Sequence, residues 1–204
     1  MPSDLLAVLI ILPFLGSLAA AVLPLRGRTA SALLAGAVAL VGLGITILSY
    51  PQMVAGGMLR RDIEWLPSLG LDIVLRMNGF SWLFSVMITG IGFLVVLYSR
   101  YYMSPKDPVP RFFSLLLAFM GAMLGIVLAG NLIQLALFWD LTGVFSFLLI
   151  GYWHHNANAR DGARVALVVT GAGGLALLVA TLIIGHIVGS YDIDAVLAKG
   201  DAIR

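Results

Sequence analysis

An all-α polytopic membrane protein is the fold class the sequence predicts, and three observations predict it. The first is composition: of 204 residues, 61% are hydrophobic and only 11% charged, and the mean hydropathy is +1.04. A soluble domain carries roughly a quarter charged residues, because it needs a solvated surface. The second is grouping: the charges fall around Arg26 and Arg28, Arg60 to Arg76, Arg100 to Arg111, Arg160 to Arg164, and Asp192 to Arg204. The third is the length of the apolar stretches between them. Each is about 20 residues, enough to cross a hydrocarbon core of ~30 Å at 1.5 Å per residue.

Six spans follow, at about 4–24, 30–50, 79–99, 112–129, 131–152 and 163–189, and residues 1–204 read as a single membrane domain. The N-terminus lacks the basic n-region of a signal peptide and carries Asp4 there, so it reads as a retained first span. Pro13 is expected to kink it, since proline removes a helix hydrogen bond. The turn "PLRGRT" that follows is short and basic. Between the second and third spans lies the longest polar piece, Pro51 to Asn78. Within it "RDIEWL" and "LDIVLR" alternate polar with apolar residues around "PSLG", the pattern of a β-hairpin. Such a hairpin is marginal alone and is expected to rest on a neighbour or on the membrane surface. Spans four and five meet at "AGN", Ala129 to Asn131, with almost no room for a loop.

The loops set an orientation. The first, third and fifth hold seven of the lysines and arginines in short segments, against five on the other side. This bias places those loops in the cytoplasm and both termini outside. Tyr98, Tyr101, Tyr102, Tyr152 and Trp153 sit at span ends, where amphipathic rings favour the headgroup level. The +2 net charge does not indicate nucleic acid, because the arginines flank spans and form no basic face. Without cysteine, disulfides and thiolate metal sites are excluded.

Small residues mark expected helix contacts: "GAMLG" (Gly121 to Gly125) and "GHIVG" (Gly185 to Gly189) have small-xxx-small spacing. "TGAGGLA" (Thr170 to Ala176) has the glycines of a dinucleotide loop. It follows no strand, lies inside an apolar helix and lacks the third glycine at the required place. No cofactor is expected.

Asp140 is the candidate for chemistry. It lies nine residues beyond Asn131, hence roughly 13 Å into the span. An aspartate at that depth costs ~2.5–3.5 kcal/mol on insertion scales and marks a functional site by default. Ala136, Gly143 and Gly151 share its helical face, and Thr142 and Ser146 add hydroxyls on the same span. Two readings stand side by side: a proton-handling carboxylate, or a neutral structural acid hydrogen-bonded to a neighbouring helix. His186, the single histidine inside a predicted span, is a weaker candidate for proton relay, against a simple headgroup contact. His154 and His155 lack a third ligand at metal spacing and read as interfacial. No metal site is expected.

The stretch "WDLTGVFSFLLIGYWHHNANARDGARVALVVTGAGGLALL" resembles the fifth and sixth spans of the A-type subunit of Mrp-type multisubunit cation/proton antiporters. The antiporter-like subunits of respiratory complex I share that family. "RMNGFSWLF", "GIGFLVVLYSRYYMS" and "RFFSLLLAFMGAMLGIVLAGNLIQLALFW" are similar to its upstream spans, and "SFLLIGYWHH" favours the antiporter branch. The resemblance implies that Asp140 stands where the family normally has a proton-exchanging glutamate, paired with a lysine in the seventh span. Gly143 stands where serine is usual, and Asn78 where aspartate is frequent.

The resemblance further implies a part of a secondary monovalent cation/proton antiporter, acting with protons, a cation expected to be sodium, and other antiporter subunits. Such a protein resides in the inner (plasma) membrane of the cell and is a transporter, not an enzyme. Because the chain stops at "GDAIR", before the lysine-bearing span, it is expected to be an N-terminal piece that does not transport alone. The alternatives are a piece of a complex I-like dehydrogenase or membrane hydrogenase, and a structural scaffold with a neutral Asp140.

Overall fold

The computed structural model describes residues 4–24, 27–66, 71–104 and 107–200. Its elements run α1 (Asp4–Ala21), α2 (Arg28–Leu48), α3 (Tyr50–Val54), β1 (Leu59–Leu66), β2 (Leu71–Met77), α4 (Gly79–Tyr102), α5 (Val109–Val127), α6 (Leu132–Ile150), α7 (Ala157–Val188) and α8 (Ile193–Ala198). Among the described residues, six helices are long and apolar enough to cross a membrane, and they coincide with the six predicted spans. α7 begins six residues before the expected start at 163. The Asn156 side chain accepts the Asn158 N–H at 2.9 Å, so the helix is capped ahead of its polar first turns. α1 runs on as helix through the buried Pro13.

Polar residues at the helix starts satisfy N–H groups that no helical partner can reach. Asn78 and Ser81 form a reciprocal capping box at α4, with bonds of 2.9 and 2.8 Å. Asn131 accepts the Ile133 N–H at 2.9 Å at α6. α1, α2, α4 and α5 enclose the main core, built around Leu9, Ala35, Ala39, Phe113, Leu117 and Leu124. Where α2 meets α4, the buried hydroxyls of Thr46, Ser85 and Thr89 each donate to a carbonyl of their own helix four residues earlier. Polar side chains thereby pass through the apolar interior with their donors satisfied.

Glycines set the approach of the remaining helices. The Phe14 ring lies where a Cβ on Gly121 would come within 3.0 Å, and the Phe138 ring fills the space against Gly125. "GAMLG" therefore joins α5 to α1 and to α6. "GHIVG" acts differently: Gly185 is covered by the Tyr191 ring of the segment that follows α7, and Gly189 takes the left-handed conformation (φ 76°) that ends the helix. Among the described residues it is a helix terminator, not a crossing point between spans.

β1 and β2 form the predicted antiparallel hairpin, with Arg60 opposite Arg76 and Asp62 opposite Val74. Its "PSLG" loop lies outside the described residues. The hairpin rests on protein. The Arg76 N–H donates to Leu128 O (2.9 Å) and Gly130 N–H to Val74 O (2.7 Å), which attaches β2 to the α5–α6 turn. On the other side of that turn, Leu132 N–H donates to Tyr191 O (2.8 Å) and Ile193 N–H to Gly130 O (2.9 Å). The "AGN" turn is thus the middle rung of a backbone ladder joining the hairpin to the end of α7. The N-terminus of α1 shares this end of the bundle, since Arg61 pairs with Asp4 at 2.8 Å.

Charges reinforce the ladder. Arg60 bonds Asp62 (2.8 Å), Asp192 (2.5 Å) and Asp194 (2.8 Å), and Arg76 reaches Asp194 at 3.0 Å. Hydrogen bonds that Arg60 donates to Asp62 and Asp192 hold its pKa above its ordinary range. Burial opposes ionisation of Asp192, but the Arg60 hydrogen bond and the N–H groups of Ala195 and Asp194 outweigh it and hold the carboxyl below its usual range.

At the opposite end, the Arg28 Nε donates to Arg100 O at 2.9 Å. Tyr98, Tyr101, Tyr102 and Trp153 are exposed there as expected, but Tyr152 is not. It is 5% exposed and packs edge-on against Phe112.

Candidate functional site

α6 and α7 are antiparallel neighbours joined by the short segment Gly151–Asn156, so residues at matched heights face each other along a seam. Asp140 is the ninth of nineteen residues in α6, which places its carboxylate in the middle third of the span. There it lies directly against the backbone of Gly174 on α7, whose missing side chain leaves the room it occupies. One turn further along α6, a Cβ on Gly143 would stand 3.3 Å from Thr170 Oγ1. Beyond that, Gly151 faces Ala163. The small residues predicted on the Asp140 face do line its contact with the next span, and Ala136 on the same face is fully buried.

Beside the carboxylate opens a cavity of about 220 Å³ lined by Asp140, Gly143, Val144, Leu167, Thr170 and Leu175. Its polar wall consists of Asp140 and the Thr170 hydroxyl, which donates to Ala166 O at 2.7 Å and keeps its lone pairs. Among the described residues, no hydrogen bond or ion pair reaches the Asp140 carboxylate. Basic side chains stand only near the ends of the described spans, as with Arg28, Arg100 and Arg111. The Thr142 hydroxyl bonds its own helix at Trp139 O (2.7 Å).

The histidines lie elsewhere. His186 is exposed in the last turn of α7, twelve residues from Gly174 and hence roughly 18 Å along the helix. The structure does not bring it to Asp140. His154 and His155 lie exposed beyond the other end of α6, their rings 6.0 Å apart. No group of three metal-binding side chains occurs among the described residues.

Sequence reasoning singled out Asp140 but missed Gly174 and Thr170. Both lie in "TGAGGLA", which periodicity correctly put inside a helix without saying what its glycines face. The signal was the antiparallel register of α6 and α7: a tight connection places the residues flanking it opposite one another, and counting outward pairs Asp140 with Gly174.

Residues 65–113 match the family described as NADH-ubiquinone oxidoreductase (complex I), chain 5 N-terminus. Residues 129–201 match NADH:quinone oxidoreductase/Mrp antiporter, transmembrane region. Together the two matches take in β2, the "AGN" turn and the whole α6–α7 seam. The chain belongs to the antiporter-like family of membrane subunits shared by Mrp antiporters and complex I. Within this antiporter-like family it is 62% identical, over 98% of its length, to a probable K⁺/H⁺ antiporter A/B-type subunit from Rhizobium meliloti. It is 42% identical, over 72% of its length, to the A-type subunit of the Na⁺/H⁺ antiporter of Alkalihalophilus pseudofirmus. A solved Mrp complex from Dietzia contains a chain that superposes on 94% of it with a TM-score of 0.80 and 26% identity. The chain spans about a fifth of the length of each of these relatives, covering 20%, 18% and 20% of them.

Proposed function

We propose that this antiporter-like chain contributes the membrane carboxylate of a monovalent cation/proton antiporter, with Asp140 as the group that takes up and releases the proton. The observation that carries this is a single acid in the middle third of a span, seated against a glycine and facing a cavity with a hydroxyl on its wall. An unpaired carboxylate at that depth is unfavourable unless it is used or neutralised, and the cavity has room for water or a transported ion. The counter-charge comes from a neighbouring part of the assembly. The relatives' names support potassium or sodium as the cation, with sodium the expectation drawn from the sequence. Other antiporter subunits are the proposed partners and the bacterial inner membrane the proposed location.

The test uses vesicles carrying the complete assembly and a trapped pH indicator, with no electron donor present. Addition of Na⁺ or K⁺ is expected to collapse an imposed pH gradient. A response that requires an electron donor and acceptor would instead establish the redox-driven, complex I-like alternative.

In this reading the hairpin end of the bundle faces outside and the α6–α7 connection faces the cytoplasm, following the bias of basic residues. Cysteine placed at the exposed Leu197 should react with an impermeant maleimide added outside intact cells, and cysteine at His155 should not. The reverse pattern would invert the orientation.

A further inference from the structure

Three of the five residues from Gly171 to Leu175 are glycine, although glycine is among the poorest helix formers. Their surroundings differ. Beside Gly173 there is open space that an added methyl group would enter freely, whereas at Gly174 a Cβ would overlap Oδ1 of Asp140. Gly174 is also buried where Gly173 is exposed. A rotation of Asp140 about its own side-chain bonds is the one way to relieve that overlap without moving α6 from α7. Gly143 opposite Thr170 and Gly151 opposite Ala163 hold the two helices close on that side.

We infer that Gly174 is a positioning residue for Asp140: its bare Cα fixes which way the carboxylate points and how far it reaches toward the cavity at Thr170. This rests on the reading of Asp140 as the proton-exchanging group. A methyl group at position 174 turns the carboxylate out of its seat while leaving it able to titrate. Misplacing a reacting group by about 1 Å can cost on the order of a hundredfold in rate.

The experiment compares Gly174→Ala, Gly173→Ala and Asp140→Asn in the complete assembly. It measures membrane level, exchange as a function of pH, and modification of Asp140 by an apolar carbodiimide, read by peptide mass. Gly173→Ala should match wild type in all three. Gly174→Ala should assemble, lose roughly tenfold or more of exchange, displace the pH profile and change Asp140 modification several-fold. A wild-type pH profile and wild-type modification in Gly174→Ala would overturn the inference, and an inactive Asp140→Asn would then leave the carrier reading standing. Wild-type exchange by Asp140→Asn would overturn the carrier reading, while altered modification in Gly174→Ala would still establish the positioning. Should Gly174→Ala fail to assemble, adding Asp140→Ala to the same chain decides the matter. Recovered assembly shows that the carboxylate was the obstacle, and continued failure overturns the inference.

Discussion

Asp140→Asn in the complete assembly is expected to lower cation-driven proton exchange on the order of a hundredfold or more, the scale of losing a positioned proton-transfer group, at an unchanged membrane level. The amide matches the carboxylate in size and fits the same seat against Gly174. No hydrogen bond to Asp140 exists among the described residues for it to break. The neutral amide is no more costly to place in mid-span than the carboxylate, whose insertion costs ~2.5–3.5 kcal/mol, so folding has no reason to suffer. Asp140→Glu should retain exchange, because the cavity beside Gly143 and Thr170, about 220 Å³, can take one more methylene. Both variants are read by vesicle exchange normalised to immunodetected protein. Wild-type exchange by the asparagine form would leave Asp140 a structural acid.

Arg60→Ala is expected to loosen the hairpin end by about 2 kcal/mol, the scale of hydrogen bonds to charged groups discounted for partial exposure. It removes the cation shared by Asp62, Asp192 and Asp194 and leaves Arg76 to hold Asp194 alone. The sign of the pH dependence follows from Asp192, whose folded pKa is depressed. Its contribution is present above the ordinary aspartate pKa of about 3.9 and is lost as the pH falls through the lower folded value. Arg60 is shifted upward, so its contribution is complete at every pH below its unfolded value and adds no step in the acid range. Hydrogen exchange at the Arg76, Gly130 and Ile193 amides, taken relative to the intrinsic rate at each pH, should therefore hold steady from neutrality to about pH 5 and quicken below about pH 4. Arg60→Ala should quicken it at neutral pH. Equal protection in the variant and the wild type would show that the backbone ladder needs no ionic support.

The spans were legible because the bilayer imposes its thickness on apolar run length, and the strands because alternation survives even in short segments. What periodicity cannot give is who faces whom. Tyr152 reads like its neighbours Tyr98 and Tyr101, an aromatic at a span end, yet Phe112 of α5 covers it. "GHIVG" has the spacing of a helix crossing, but Tyr191, six residues beyond its first glycine, folds back onto it. Asp140 was visible because a charge in an apolar run is rare. Gly174 was not, because a glycine in a small-residue helix becomes informative only when its neighbour is known.

The length of α7 has a consequence for how the protein meets the lipid. Its 32 residues measure roughly 48 Å, against a hydrocarbon thickness of ~30 Å. Ordinarily a helix with that mismatch shares its surplus between both leaflets or tilts. Here the ladder through Gly130 and Ile193 anchors one end at the level of the hairpin, so the overhang falls at the other. The first turns, with Asn158, Arg160, Asp161 and Arg164, are then expected to stand clear of the acyl chains as a rigid post. Arg160 and Arg164, one turn apart on this stretch, are expected to meet the phosphate layer and so to set the depth of the seam in the bilayer.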